Sequence, residues 1–242
     1  MSQEPCLGIL LPDDGPDDYE WYSLGEEVPG LPRLEVGKVP SDGHHAPAAL
    51  LALGDVERLV PMGRRLVEEE GAEAVVWACT SASFIGGLDW AREQRAGLEA
   101  RLGVPVTSTA LAFLEALESL GLDRVDLLSP YPDDVTLRLV SFLREGGVGV
   151  IHDKALDCPY AEDSHRADIL GEVRRFRQRY PDLSRPLLVP DTAIDSLRRR
   201  EAMVEAAGGE VLTANQVTLW AGLKRLTWPQ RPASLLGLLA EP

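Results

Sequence analysis

A cysteine followed at once by small hydroxyl residues is the first chemistry this chain offers. In VVWACTSASFIGG, residues 75–87, an apolar run ends on Cys79, and Thr80, Ser81 and Ser83 follow before Gly86-Gly87 leads into a helix. A thiol between a strand end and a helix start meets unpaired N–H groups. These attract anions and favour thiolate over thiol. Holding a thiol about 1.5 units below its usual value near 8.5 takes about 2 kcal/mol, within reach of a helix start and several hydrogen bonds. The hydroxyls add donors for carboxylate oxygens. The pattern reads as a nucleophile or proton carrier facing a small anion. A buried cysteine can also be plain filling, and the polar run directly after Cys79 argues against that here.

Other residue types could join it. Asp191 and Thr192 lie in PLLVPDTAIDSL, residues 186–197, another apolar run that ends on a polar turn. Asp191 is either a helix N-cap, worth about 1 kcal/mol, or a proton carrier opposite Cys79. As an acid at neutral pH it would need its pKa raised about 3 units by burial, against the pull of a helix start. Thr192 is the alternative hydroxyl relay or substrate donor. Tyr131 stands between Pro130 and Pro132, whose fixed φ would hold the phenol in one direction. His44-His45 in SDGHHAP reads as a solvated turn ahead of a catalytic or metal role. Cys6 reads as core. Cys158 and His165 read as structural or surface residues on a loop, 158–165, that could close over a cleft.

Elements must bring these residues together. Apolar runs predict strands at 6–11, 33–39, 74–78, 104–107, 124–129, 148–152, 186–189 and 210–213. Several are continuous rather than alternating, as in strands covered on both faces. Between them, apolar spacing and stop signals predict helices at 47–70 (interrupted near Pro61), 87–102, 109–120, 132–145, 165–179, 193–207 and 215–226. Such alternation makes parallel sheets flanked by helices. The strand–turn–helix units around Cys79 and Asp191 look alike and lie nearly half the chain apart. This predicts two similar α/β lobes facing one another, with a site at the carboxyl ends of the strands.

Composition narrows the partners. The chain has 242 residues and a net charge of −15, which argues against nucleic acid or an anionic membrane surface. Three cysteines make no disulfide framework, and their spacing with the four histidines fits no zinc site. MSQEPCLGILLP has no basic n-region, and no run approaches the about 20 apolar residues of a membrane span. The expectation is a cytoplasmic protein.

Four segments resemble the aspartate/glutamate racemase superfamily, in the branch of maleate cis–trans isomerase, arylmalonate decarboxylase and EutA-like proteins: LGILLP (7–12), ACTSASF (78–84), LLSPYPDDV (127–135) and GGEVLTANQVTLWAGL (208–223). The resemblance implies two Rossmann-like α/β lobes related by a pseudo-twofold, residues 1–108 plus 212–242 and 109–211, around a small carboxylate. It implies no metal or cofactor, and a homodimer or higher homo-oligomer. It places Cys79 as one of two residues facing the reacting carbon. Tyr131, Thr80, Ser81 and Ser83 become carboxylate contacts, with Pro12 and Asp14 in the turn after the first strand. Two departures stand out. Asp191 occupies the place of the second cysteine, and Asp13-Asp14-Gly15 replaces the asparagine the isomerases carry after Pro12. Acidic groups there, with the DDYEWY run that follows, would repel a dicarboxylate. The leading expectation is a maleate isomerase-like reaction, with Cys79 thiolate adding to an alkene. The alternatives are decarboxylation or amino-acid racemisation through an enediolate, and a carboxylate binder without chemistry.

Overall fold

The computed structural model describes residues 4–14 and 19–240. Strands β1 (Cys6–Asp13), β2 (Arg33–Pro40), β3 (Ala74–Trp77) and β4 (Val106–Ser108) form one parallel sheet in the order β2-β1-β3-β4. Strands β5 (Arg124–Ser129), β6 (Gly149–Ala155), β7 (Leu187–Val189) and β8 (Val211–Thr213) form a second in the order β6-β5-β7-β8. The second order is the first with four added to each number, so the topology repeats. The central strands AVVW and LLV are buried at every residue, because helices cover both faces of each sheet.

The helices are α1 (Tyr19–Glu27), α2 (Pro47–Leu53), α3 (Val56–Glu68), α4 (Ser81–Phe84), α5 (Leu88–Leu102), α6 (Thr109–Ser119), α7 (Asp133–Glu145), α8 (Ala161–Arg166), α9 (Ile169–Arg179), α10 (Arg200–Ala207), α11 (Ala214–Arg225) and α12 (Ala233–Leu236), then a 3-10 turn at Gly237–Ala240. All eight predicted strands are present, displaced at their ends by three residues at most.

The helices depart further from the predicted spans. The break in 47–70 falls at Gly54-Asp55, where the Asp55 carboxylate accepts from Glu57 N at 2.8 Å and caps α3. Pro61 lies inside α3 instead; the carbonyl its ring leaves unpaired belongs to exposed Glu57. The predicted 165–179 helix is two, because Asp168 caps α9 through Gly171 N. The predicted 193–207 helix forms only from Arg200. Helix α1 was not anticipated at all. Strand β8 pairs with β7 in the second sheet, while α11, which follows it directly, packs on β3 and β4 of the first.

The principal core runs through both lobes, joining Val75 and Val76 to Val125, Leu127, Leu188 and Leu212. A smaller cluster around Phe176 and Val189 lies behind the second sheet. A shared core fixes one lobe against the other, and so fixes the cleft between their strand ends.

Candidate functional site

Both sheets end on one cavity. Strand β3 stops at Trp77 with Cys79 two residues beyond, and β7 stops at Val189 with Asp191 two residues beyond. Cys79, Ser81, Asp191 and Thr192 line a cavity of about 220 Å³ together with Pro12 and Asp14 from the end of β1. The two turns are stitched to each other. Asp191 N donates to Thr80 Oγ1 at 3.2 Å, and Thr192 Oγ1 donates to the Ala78 carbonyl at 3.0 Å. Behind them, Asn215 Nδ2 at the start of α11 donates to the carbonyls of Thr192 and Ile194 and to Glu20 Oε2.

The expectation of a stabilised Cys79 thiolate is corrected. The residue is 5% exposed. Burial pushes its pKa from 9.0 up to about 12, with the Asp14 and Asp191 carboxylates adding to the rise. The Ala82 amide and the Ser81 hydroxyl, 3.9 Å from Sγ, pull the other way and lose. The helix that follows the cysteine is a single turn, Ser81–Phe84, too short for a full macrodipole. These surroundings favour the neutral thiol over the thiolate.

Asp191 does not cap a helix. It sits at φ +86°, a strained region for a residue with a side chain, and its Oδ1 accepts from Ala193 N at 3.1 Å to close a turn. Its Oδ2 is buried with no hydrogen bond and lies 3.8 Å from His45 Nε2. Asp14 is driven up to about 6 by burial and then by Asp191, while Lys38 and His45 draw it down. Of the DDYEWY run, Asp17 and Asp18 lie outside the described residues. Glu20 is turned inward and buried, its Oε1 accepting from Arg198 N at 2.9 Å.

Three expected contacts stand behind the wall rather than on it. Ser83 Oγ donates to Thr80 O at 3.0 Å and accepts from Ala110 N at 3.1 Å, so it ties α4 to α6. Thr80 is buried and engaged with Asp191 N. Tyr131 is fully buried, edge-on to the His45 ring at 4.9 Å and close to Phe84. Its hydroxyl has no hydrogen bond of good geometry, although the Thr80 and Ser81 hydroxyls are its neighbours, and burial raises its pKa well above 10.

His45 is the residue the sequence reading missed. It is 5% exposed and lines the cavity. Its Nδ1 lies 2.9 Å from the Cys158 carbonyl, and its own N–H donates to Pro159 O at 2.8 Å. Nothing local in SDGHHAP signals this, because the partners lie 113 residues away. The 158–165 segment does meet the first lobe: Ala161 N donates to Gly43 O, and Tyr160 stacks on His44 at 4.9 Å. His165 lies alongside, its Nδ1 3.0 Å from Ala193 O.

The rest of the cavity has two characters. Leu11, Ala49, Leu50 and Leu53 give an apolar wall, and Asp42 and Arg58 flank it. The cavity can therefore hold a small molecule with a polar end at Cys79 and Ser81 and an apolar body against α2. Among the described residues no cluster of three or more His, Cys, Asp or Glu could hold a metal ion, and no helix is long and apolar enough to cross a membrane.

Comparison with known proteins gives the following. A family model for arylmalonate decarboxylase matches residues 53–238. The arylmalonate decarboxylase of Bordetella bronchiseptica is 33% identical over 147 residues, 60% of this chain and 58% of that protein. A substituted arylmalonate decarboxylase in its liganded form superposes with a TM-score of 0.84 at 24% identity, covering 98% of this chain and 99% of the other. Maleate isomerase of Pseudomonas putida S16 with maleate gives 0.83 at 20% identity, covering 98% and 97%. A maleate cis–trans isomerase variant from Nocardia farcinica, with a covalently bound succinylcysteine intermediate, gives 0.83 at 22% identity, covering 98% and 99%. At these identities the superpositions carry the fold, which is the two-lobed α/β architecture expected from the motifs.

Proposed function

Because the chain belongs to the arylmalonate decarboxylase family, we propose that it is a cofactor-independent enzyme that decarboxylates a small α-substituted malonate, with the Cys79 thiol as proton donor. One observation carries this choice: Cys79 lines the cavity almost fully buried, with the Asp14 and Asp191 carboxylates on the same wall, surroundings that favour the protonated thiol. An acid, not a nucleophile, is what the resting site holds.

The residues then take the following parts. One carboxylate of the substrate is held by the Ser81 hydroxyl, with Thr192 on the wall beside it. The substituent lies on Leu50 and Leu53. The second carboxylate is left among apolar and acidic neighbours, where its charge is poorly solvated. The bond between the α-carbon and that carboxylate breaks, carbon dioxide leaves, and the electron pair passes into the retained carboxylate as an enediolate. The S–H proton moves to the α-carbon, and the resulting thiolate, buried beside Asp14 and Asp191, takes a replacement proton from solvent water once the product has left. Pro12 and Asp14 complete the wall next to the retained group. Thr80, Ser83 and Tyr131 hold the first row in place from one layer back. A cytoplasmic location belongs to the same proposal, as does a homodimer or higher homo-oligomer, the latter resting on the motif resemblance.

A second reading is maleate isomerase-like addition of Cys79 to an alkene, as the succinylcysteine adduct of the Nocardia farcinica enzyme suggests. It requires the thiol to lose its proton when substrate binds. Proton NMR in D2O with phenylmalonate, maleate and acidic amino acids separates the readings through carbon dioxide loss, isomerisation and α-proton exchange. Phenylmalonate is expected to give phenylacetate carrying deuterium, at least about 100-fold more slowly in Cys79→Ala. Turnover unchanged in that variant overturns the role of the thiol. Binding of phenylmalonate without any reaction makes the protein a carboxylate binder.

A further inference from the structure

The cavity is closed at one end and open at the other. Cys79 is 5% exposed, while Arg58 on the same lining is an exposed residue. Cys79 thus lies at the floor and Arg58 at the mouth. Buried Leu50 and Leu53 of α2 line the cavity, and from Leu53 the chain passes through Gly54 and Asp55 into the first turn of α3, which carries Arg58. Among the described lining residues Arg58 is the single lysine or arginine. Its Nη2 donates to the carbonyl of Pro40 at the end of β2, at 2.5 Å, which fixes the side chain between α3 and that strand end. The acids around it are engaged elsewhere. Glu57, next in the chain, accepts from Arg101 at 2.6 and 2.8 Å, Asp55 caps α3, and Asp42 at the cavity accepts from His44 N at 3.1 Å. A cation in the first turn of a helix also opposes the helix dipole, so the position is not one that α3 itself favours.

We propose that Arg58 is a specificity-determining residue that pairs with an anionic group at the far end of the α-substituent, so that the substrate is a malonate whose substituent itself ends in a carboxylate or a comparable small anion. The inference rests on the decarboxylase reading above. The malonate end lies at Cys79 and Ser81, the body of the substituent on Leu50 and Leu53, and the terminal anion at the guanidinium, whose planar fork suits a two-oxygen acceptor. Deeper in the cavity the same anion would face Asp14 and Asp191; at the mouth it meets the one cation of the lining. The chain as a whole carries a net charge of −15, which disfavours one more negative charge on a ligand. A preference for that charge therefore has to come from a local cation. The pair is open to water, which keeps its contribution modest and confines it to binding, away from the bond that breaks.

The test compares phenylmalonate with its 3- and 4-carboxy and its 3- and 4-carbamoyl ring derivatives, following the arylacetates by NMR. The amide has the shape of the carboxylate without its charge. In wild type the carboxylate, in at least one ring position, is expected to give a kcat/KM at least about fivefold above that of its amide counterpart, through KM with kcat alike. In Arg58→Gln that ratio is expected to fall at least about fivefold, and in Arg58→Glu to drop below that of Arg58→Lys. A merely structural role would slow both compounds alike and leave the ratio standing. If Arg58→Gln does not melt cooperatively, the comparison of Arg58→Lys with Arg58→Glu decides the matter, and equal ratios in those two overturn the inference. Turnover of phenylmalonate by wild type with no preference for carboxylate over amide in either position overturns this inference and leaves the decarboxylase reading in place. A wild-type preference that persists within about twofold in Arg58→Gln overturns it too. A wild type that converts none of these compounds removes the decarboxylase reading, and this inference with it.

Discussion

The state of Cys79 can be read directly from its alkylation. An ordinary thiol at 9.0 is about one-tenth ionised at pH 8; a thiol pushed up to about 12 is ionised to about one part in ten thousand. That is about a thousandfold less thiolate. The more basic thiolate is the better nucleophile, with a Brønsted slope near 0.4–0.5, which over three units recovers about 20-fold. Iodoacetamide should therefore label Cys79 about 50-fold more slowly than an unburied thiol, before any steric hindrance. Because hindrance lowers the rate without bending its pH dependence, the profile is the decisive quantity. Followed by mass spectrometry from pH 7 to pH 10, labelling should rise about tenfold per unit with no plateau. Asp14→Asn removes one of the like charges that oppose ionisation and should label faster than wild type across the range. A plateau with a midpoint near pH 7, or a rate at pH 7 matching a free thiol, would refute the neutral-thiol argument and return the site to a resting thiolate.

Three further outcomes follow from the packing around the site. Asp14 has a folded value near 6 against 3.8, so its contribution to stability is complete below pH 3.8 and is lost as pH rises to 6, by no more than about 3 kcal/mol; the gain in melting temperature of Asp14→Asn over wild type should be larger at pH 8 than at pH 4.5, and a gain independent of pH contradicts this. Gly54 lies where an added Cβ would come 2.3 Å from the Ala82 carbonyl oxygen; Gly54→Ala should cost about 1–3 kcal/mol and lower the melting temperature by about 2–4 °C per kcal/mol, checked by calorimetry. Asp126 is buried with Arg177 at 2.7 Å and Arg185 at 2.8 Å; Asp126→Ala leaves buried Arg177 unpaired and should destabilise by about 3–5 kcal/mol in urea titrations.

Sheet strands were legible because they are short, continuous apolar runs bounded by turn residues, and parallel burial leaves that mark in one dimension. The repeat was legible too, from the likeness of two strand–turn–helix units. Helix boundaries were less so. Asp55 and Asp168 stop and restart helices through single side-chain caps, and at Pro61 the general rule against proline in a helix misled. Of the site, the segment around Cys79 and the turn at Asp191 could be named from sequence, since both follow strand ends. The state of the thiol could not. It depends first on burial and then on Asp14 and Asp191 approaching from two other strand ends, and contacts between distant segments leave no local pattern. His45 was hidden for the same reason: a histidine in a Gly- and Pro-containing loop looks solvated until the Cys158 carbonyl and Tyr131 close over it. Ser83 shows the converse. Its type and spacing suit an anion contact, but the Ala110 amide claims its oxygen.

In the proposed reaction a proton passes from a neutral Cys79 thiol to one face of an enediolate. The most direct measurement uses α-methyl-α-phenylmalonate, whose two carboxylates become distinguishable only by the face protonated, with the 2-phenylpropionate formed in the first few per cent of conversion resolved by chiral chromatography. One enantiomer in large excess from wild type, with formation at least about 100-fold slower in Cys79→Ala, is the predicted result. A racemic early product, or equal rates in the two proteins, would contradict it.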